Sequence, residues 1–188
     1  MKIIGVVLAL LLVLSGCEGG AREMDRALGL RSKLLAGESC TFQADITADY
    51  GDKVHSFSVS CEGDAQGSVK FEVTKPETIA GITGRISETG GKLTFDDAAL
   101  QFDLLTDDQL SPVSAPWVFL RTLRGGYLLG AAQEGERLYI QAKDSYADNA
   151  LLVDLWLGAE DLPVRGEILW KNRRILTLEI RDFRIQEG

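Results

Sequence analysis

Apolar and polar residues alternate along most of this chain, and a period of two predicts strand after strand. Cys40, Phe42, Ala44, Ile46 and Ala48 share one face, and so do His55, Phe57, Val59 and Cys61. Val69, Phe71 and Val73 alternate with Lys70, Glu72 and Thr74 until Pro76 stops the run. Ile82, Gly84 and Ile86 alternate next, and Gly90-Gly91 reads as a two-residue hairpin turn into Leu93 and Phe95. Residues 99–104 and 127–132 are further short strands, and Leu138, Ile140 and Ala142 mark another. Leu151, Val153, Leu155 and Leu157 alternate with Leu152, Asp154 and Trp156, so both faces of that strand are largely apolar. A turn at 158–163 leads into 164–170. Lys171-Asn172-Arg173 then turns into Leu176, Leu178 and Ile180. The apolar parity finally shifts to Phe183 and Ile185, which predicts a bulge or the strand's end.

Two segments break the alternation. In residues 22–36, Met24, Ala27, Leu28, Arg31, Leu34 and Leu35 recur at helical spacing, and Gly37 ends the helix. Between 107 and 116 lie two prolines and several capping residues. Ser114 suits the N-cap, and Pro116 suits the first turn. Trp117, Val118, Phe119, Leu120 and Leu123 follow, and Gly125-Gly126 closes the segment. A short helix apolar nearly all round must sit in a core or cover something apolar. Roughly ten strands joined by short turns must run antiparallel, and a sheet that wide curls. The predicted fold is mainly β (α+β). It is a strongly curved antiparallel sheet forming a half-open barrel, with an N-terminal helix and an inserted lid helix around 114–124.

The first seventeen residues belong to none of this. Lys2 precedes twelve uncharged residues, then Ser15, Gly16 and Cys17. That is the layout of a secretory signal, and the apolar run is shorter than the ~20 residues a bilayer span needs. The small-residue-then-Cys ending resembles the bacterial lipobox. The resemblance implies cleavage after residue 16 and a diacylglycerol plus an N-acyl group such as palmitate on Cys17. Residues 1–16 are then the signal peptide, 17–21 the lipidated Cys and a flexible tether, and 22–188 one domain. Several acyl chains anchor stably to a membrane where one does not. The resulting address is the extracytoplasmic face of a bacterial cell membrane. The mature chain carries 19 Lys and Arg against 28 Asp and Glu, which argues against nucleic acid.

Export makes a disulfide between Cys40 and Cys61 feasible. A turn at Tyr50-Gly51 with Asp49 opposite Asp52 places Ile46 against His55, Ala44 against Phe57, Phe42 against Val59 and Cys40 against Cys61. A disulfide there would stabilise by about 3 kcal/mol. A metal or redox pair is the alternative, but no further Cys or useful His supports it. His55 is the only histidine and is expected as a partly exposed structural residue at the hairpin tip. No Gly-x-Ser-x-Gly elbow, zinc-protease helix, phosphate loop or dinucleotide fingerprint occurs, so an enzyme is not expected, nor a metal or cofactor beyond the lipid on Cys17. Asp96-Asp97, Asp107-Asp108 and Glu160-Asp161 fall at turns, where acidic residues serve the backbone.

The order of elements resembles the Lol lipoprotein-carrier and receptor group. The stretches that carry the resemblance are Leu34-Leu35-Ala-Gly-Glu-Ser-Cys-Thr-Phe-Gln-Ala-Asp-Ile, Phe71-Glu-Val-Thr-Lys-Pro76, Ser111-Pro112 with Ala115-Pro116-Trp117, and the last hairpin from Pro163 to Phe183. The resemblance implies a half barrel holding acyl chains under helices, with no catalysis. The ligand is then a lipid or a lipoprotein acyl chain. The candidate cavity and lid residues are Trp117, Phe119, Leu120, Leu123, Trp156 and Phe71. An anchored chain cannot shuttle as the soluble carrier does. Lipoproteins of similar fold that bind enzymes in germination or wall maturation give the alternative: a protein-interaction lipoprotein regulating a cell-envelope enzyme.

Overall fold

The structure is a computed structural model describing residues 18–186, except positions 97, 103, 104, 107, 108 and 148. The signal segment, Cys17, Asp97, Asp107 and Asp108 lie outside the described residues. Helix α1 (Glu18–Ala36) is followed by β1 (Ser39–Asp49), β2 (Val54–Asp64), β3 (Val69–Lys75), β4 (Thr83–Ser87), β5 (Gly90–Phe95) and β6 (Ala98–Phe102). A small hairpin, β7 (Leu105–Thr106) and β8 (Gln109–Leu110), leads to helix α2 (Ala115–Gly125). Then come β9 (Tyr127–Glu134), β10 (Arg137–Lys143), β11 (Leu152–Leu157), β12 (Pro163–Trp170) and β13 (Arg173–Gln186).

Eleven strands form one antiparallel sheet in the order β6-β5-β4-β3-β2-β1-β13-β12-β11-β10-β9. Two meanders, each built by short turns, are thus stitched together where the first strand pairs with the last. The sheet is open, with β6 and β9 at its edges, and the half-barrel architecture is as expected. Its inner face carries the core: Phe42, Ile46, Val59, Ile86, Leu138, Leu155, Ile168 and Leu178 are all essentially inaccessible. The parity shift in β13 is a bulge. Thr41 pairs with Arg184 and Gln43 with Arg181, so Asp182 and Phe183 together oppose Phe42. Asp182 takes the left-handed conformation (φ 52°). The extra residue keeps Phe183 inward, stacked on Phe42 at 5.4 Å.

Several expectations change. Helix α1 begins at Glu18, so residues 18–21 are helical and not a flexible tether. The β4–β5 turn is Glu88-Thr89, and Gly90 and Gly91 open the next strand, opposite Ser87 and Ile86. A Cβ on Gly91 would meet the ring of Phe102 at 2.1 Å, so the glycine serves close packing across strands. The β1–β2 loop takes four residues instead of two. Asp49 pairs with Val54, Ile46 with Phe57, Phe42 with Cys61 and Cys40 with Gly63. The amide of Tyr50 donates to Lys53 O at 3.0 Å, and that of Gly51 to the Asp49 carboxylate at 2.8 Å. A slip of two residues keeps every side chain on its face but moves the sulfurs from opposite to diagonal. The expected Cys40–Cys61 disulfide is accordingly not formed, and both are buried free thiols. His55 moves with the register to lie opposite Ala48, and it is exposed.

Candidate functional site

Helix α2 is buried over most of its surface, with Arg121 and Arg124 on its partly accessible side. Ala115, Pro116, Trp117, Val118, Phe119, Leu120, Thr122 and Leu123 are all core residues. Pro116 pre-sets the first turn, whereas the Ser114 hydroxyl donates to Ser111 O at 2.6 Å and makes no cap. The sheet is hollowed to receive the helix. A Cβ on Gly166 would come within 2.7 Å of the Phe119 ring, and one on Gly63 within 2.7 Å of Leu120 Cδ1. Phe119 also packs against Phe42 at 6.5 Å between centroids. The expected dry cavity beneath residues 114–124 is therefore occupied by the helix's own side chains: α2 is a plug, not a lid over space.

Polar clamps hold the plug. Arg31 of α1 donates from Nε to Leu123 O at 2.8 Å and from Nη2 to Gly126 O at 2.8 Å and Thr122 O at 3.3 Å. These are carbonyls at the helix's C-terminal end, where the dipole attracts a cation, and Thr122 O also accepts the Gly126 amide at 2.8 Å. Burial lowers the Arg31 pKa from its high ordinary value. Trp117 Nε1 donates to Gly67 O at 3.0 Å, Arg124 donates to Asp64 O, and Arg121 lies over the Trp117 ring while pairing with Glu88. Helix α1 buries Ala27, Leu30 and Leu34 against the β9 side. Its Arg26 binds Asp161 and Gln133.

The structure gathers Trp117, Phe119, Leu120, Leu123 and Phe71 on the inner face, each nearly inaccessible. Trp156 is not among them. It alternates with Val153, Leu155 and Leu157, which point inward, so its ring lies on the outer face. There it packs on Tyr139 at 5.3 Å, takes Arg165 over its ring at 5.6 Å and donates to Glu134. Tyr139 donates to Asp154 at 2.7 Å. Partial burial, and then that carboxylate, push its phenol pKa up. Both acids of Glu160-Asp161 adopt positive φ at a turn, as does Asp96. No group of three His, Cys, Asp or Glu suited to a metal occurs among the described residues.

The inner face remains uncovered at the β4–β6 end. Ile86 lies opposite Gly91, which lies opposite Phe102; Gly84 lies opposite Leu93, which lies opposite Leu100; Phe95 lies opposite Ala98. Ile86 is fully buried, so by parity Leu93, Phe95, Leu100 and Phe102 also face inward. Ile82, Leu93 and Phe102 are half-buried against the core, but Phe95 is 50% exposed and Leu100 63% exposed. Phe71 lies flat across Gly84, where a Cβ would stand 2.5 Å from its ring, and Phe102 likewise across Gly91. Flat rings over glycines lower the floor of the strip. Alternation alone flagged Leu93 and Phe95 as strand residues. Nothing in it revealed that the helices stop short of them.

No protein-family model and no curated protein matches this sequence. Solved structures do resemble the fold. An uncharacterized conserved protein from Thermus thermophilus is 14% identical, with 88% of each chain covered and a TM-score of 0.48. A LolA superfamily protein from Nitrosomonas europaea is 11% identical over 86% of this chain and 94% of that one, with a TM-score of 0.43. The lipoprotein LppX from Mycobacterium tuberculosis is 15% identical over 86% of this chain and 93% of that one, with a TM-score of 0.41.

Proposed function

We propose that this chain is a non-enzymatic, extracytoplasmic lipoprotein, held at the membrane through lipid on Cys17. It binds a lipid, or the acyl chain of a lipoprotein, on the concave strip of β4–β6. The observation that carries the reading is Leu100 and Phe95 exposed on a face whose other large side chains are buried or half-buried. A Leu or Phe side chain gains about 1.5–3 kcal/mol on full burial, and each methylene of an acyl chain laid against it about 0.8 kcal/mol. The strip thus offers a binding surface that needs few polar contacts. It lies at the sheet's β6 end.

Native mass spectrometry of the protein recovered from its own membrane tests this. One lipid retained per chain, lost in Leu100→Ser with Phe95→Ser, is expected. A lipid-free chain that instead carries a stoichiometric protein would support the second reading, a regulator of an envelope enzyme. The observation favouring that reading is that β6, which bears the strip, is also an unpaired sheet edge.

A further inference from the structure

The strands that carry the apolar strip inward carry cations outward. Lys70 lies directly opposite Arg85, and Arg85 directly opposite Lys92, with Gln101 next in line on β6. Like charges placed opposite one another across strands oppose folding, and this row stands in a chain of net charge −8. Lys70 has Glu62 opposite it on its other side, on β2, and Arg85 is held by an ion pair. Its Nη2 bonds Asp64 at 2.8 Å and Ser68 Oγ at 3.1 Å. Lys70 and Lys92 form no ion pair among the described residues.

Two clefts meet at this row. One, of about 540 Å3, is bounded by Lys70, Arg85, Lys92, Thr83 and Thr94, and also by Glu62 and Glu72. The other, of about 410 Å3, is lined by Arg85, Ser87, Thr89, Gly90, Gly91, Lys92, Gln101 and Phe102, with no carboxylate among its described lining residues. Two cations, two hydroxyls and a carboxamide are a donor set suited to an oxyanion. Phe102 borders this cleft and belongs to the apolar strip on the other face. Only β6, the sheet's last strand, separates the two surfaces.

We propose that the Arg85–Lys92 cleft receives the oxyanion head, of phosphate type, of an amphiphile whose chain lies on the β4–β6 strip and passes around the β6 edge. This rests on the strip being the acyl site, and it adds the charge of the ligand to that reading. Arg85 is held in place by Asp64, while Lys92 supplies a charge that forms no ion pair among the described residues.

Isothermal titration of the full chain in amphipol, with empty amphipol as blank, compares octyl phosphate, octanol and inorganic phosphate. Octyl phosphate is expected to bind about tenfold more tightly than octanol at low salt, with the gap closing at high salt as screening shortens the reach of exposed charges. Lys92→Gln, at an exposed position, is expected to narrow the gap severalfold, to leave octanol binding unchanged and not to lower the melting temperature, since it relieves the repulsion with Arg85. Equal binding of octyl phosphate and octanol would overturn the head-group site and leave the strip intact. Inorganic phosphate binding as tightly as octyl phosphate would assign the cleft to a free anion and overturn the amphiphile. Failure of both octyl probes would remove the strip reading and the head-group site with it.

Discussion

The two ends of this sheet share an antiparallel meander and an apolar inner face, yet they are finished differently. From β2 through β1 and β13 to β9, two helices seal the inner face. Phe119 and Leu120 enter hollows left by Gly166 and Gly63, and Leu30 and Leu34 complete the cover. From β4 to β6 no helix follows, and Leu100 and Phe95 stay exposed. A curved sheet presents more concave area than two short helices can cover. The covered part becomes core and sets stability; the remainder is free to bind. Substitutions in the two regions should therefore separate stability from binding.

The largest effect belongs to the plug. Phe119→Ala deletes a fully buried ring and leaves a cavity, and should cost about 3–5 kcal/mol in urea unfolding. The fraction still folded should retain lipid as before. Arg31→Gln comes next. It removes charged hydrogen bonds to the α2 carbonyls, and because the side chain is only partly buried the loss should sit near the low end for such bonds, about 1.5 kcal/mol. Leu100→Ser inverts the pattern. Its side chain is 63% exposed, so the unfolding free energy should move by less than about 0.5 kcal/mol while lipid retention falls severalfold. If Leu100→Ser unfolds the protein, or Phe119→Ala abolishes binding in folded molecules, the division between the two ends is wrong.

The smallest effect lies at the seam between the two meanders. Asp45 accepts a hydrogen bond from Ser58 Oγ at 2.7 Å and pairs with Arg181, and these hold its pKa below the ordinary 3.8. A carboxyl depressed in the folded state stabilises above its unfolded pKa, and that contribution fades as pH falls below about 4 toward the folded value. Asp45→Asn should therefore lower the melting temperature slightly at pH 7 and make no difference near pH 2, by differential scanning calorimetry.

Alternation exposed the strands, the inward faces and the bulge before Phe183, because side-chain direction follows directly from a period of two. It also marked α2, since a helix apolar on every side has one place to go. It could not count the loop between Asp49 and Val54. Registers two residues apart bury the same faces, so the Cys40–Cys61 opposition looked as good as the register adopted. Nor could it decide whether Trp156 faces in or out on a strand apolar on both sides. The site itself was the least legible. Leu93, Phe95 and Leu100 read as any half-buried strand residues do, and their exposure depends on where helices distant in sequence end.

On the function proposed here, ligand lies on the β4–β6 strip and not under α2. Cross-linking with a fatty acid bearing a photoreactive group along its chain, followed by peptide mapping, addresses it directly. The account predicts adducts on the β5–β6 hairpin, at Leu93, Phe95 and Leu100, with α2 unlabelled. Adducts concentrated on Trp117, Phe119 or Leu123 would contradict it.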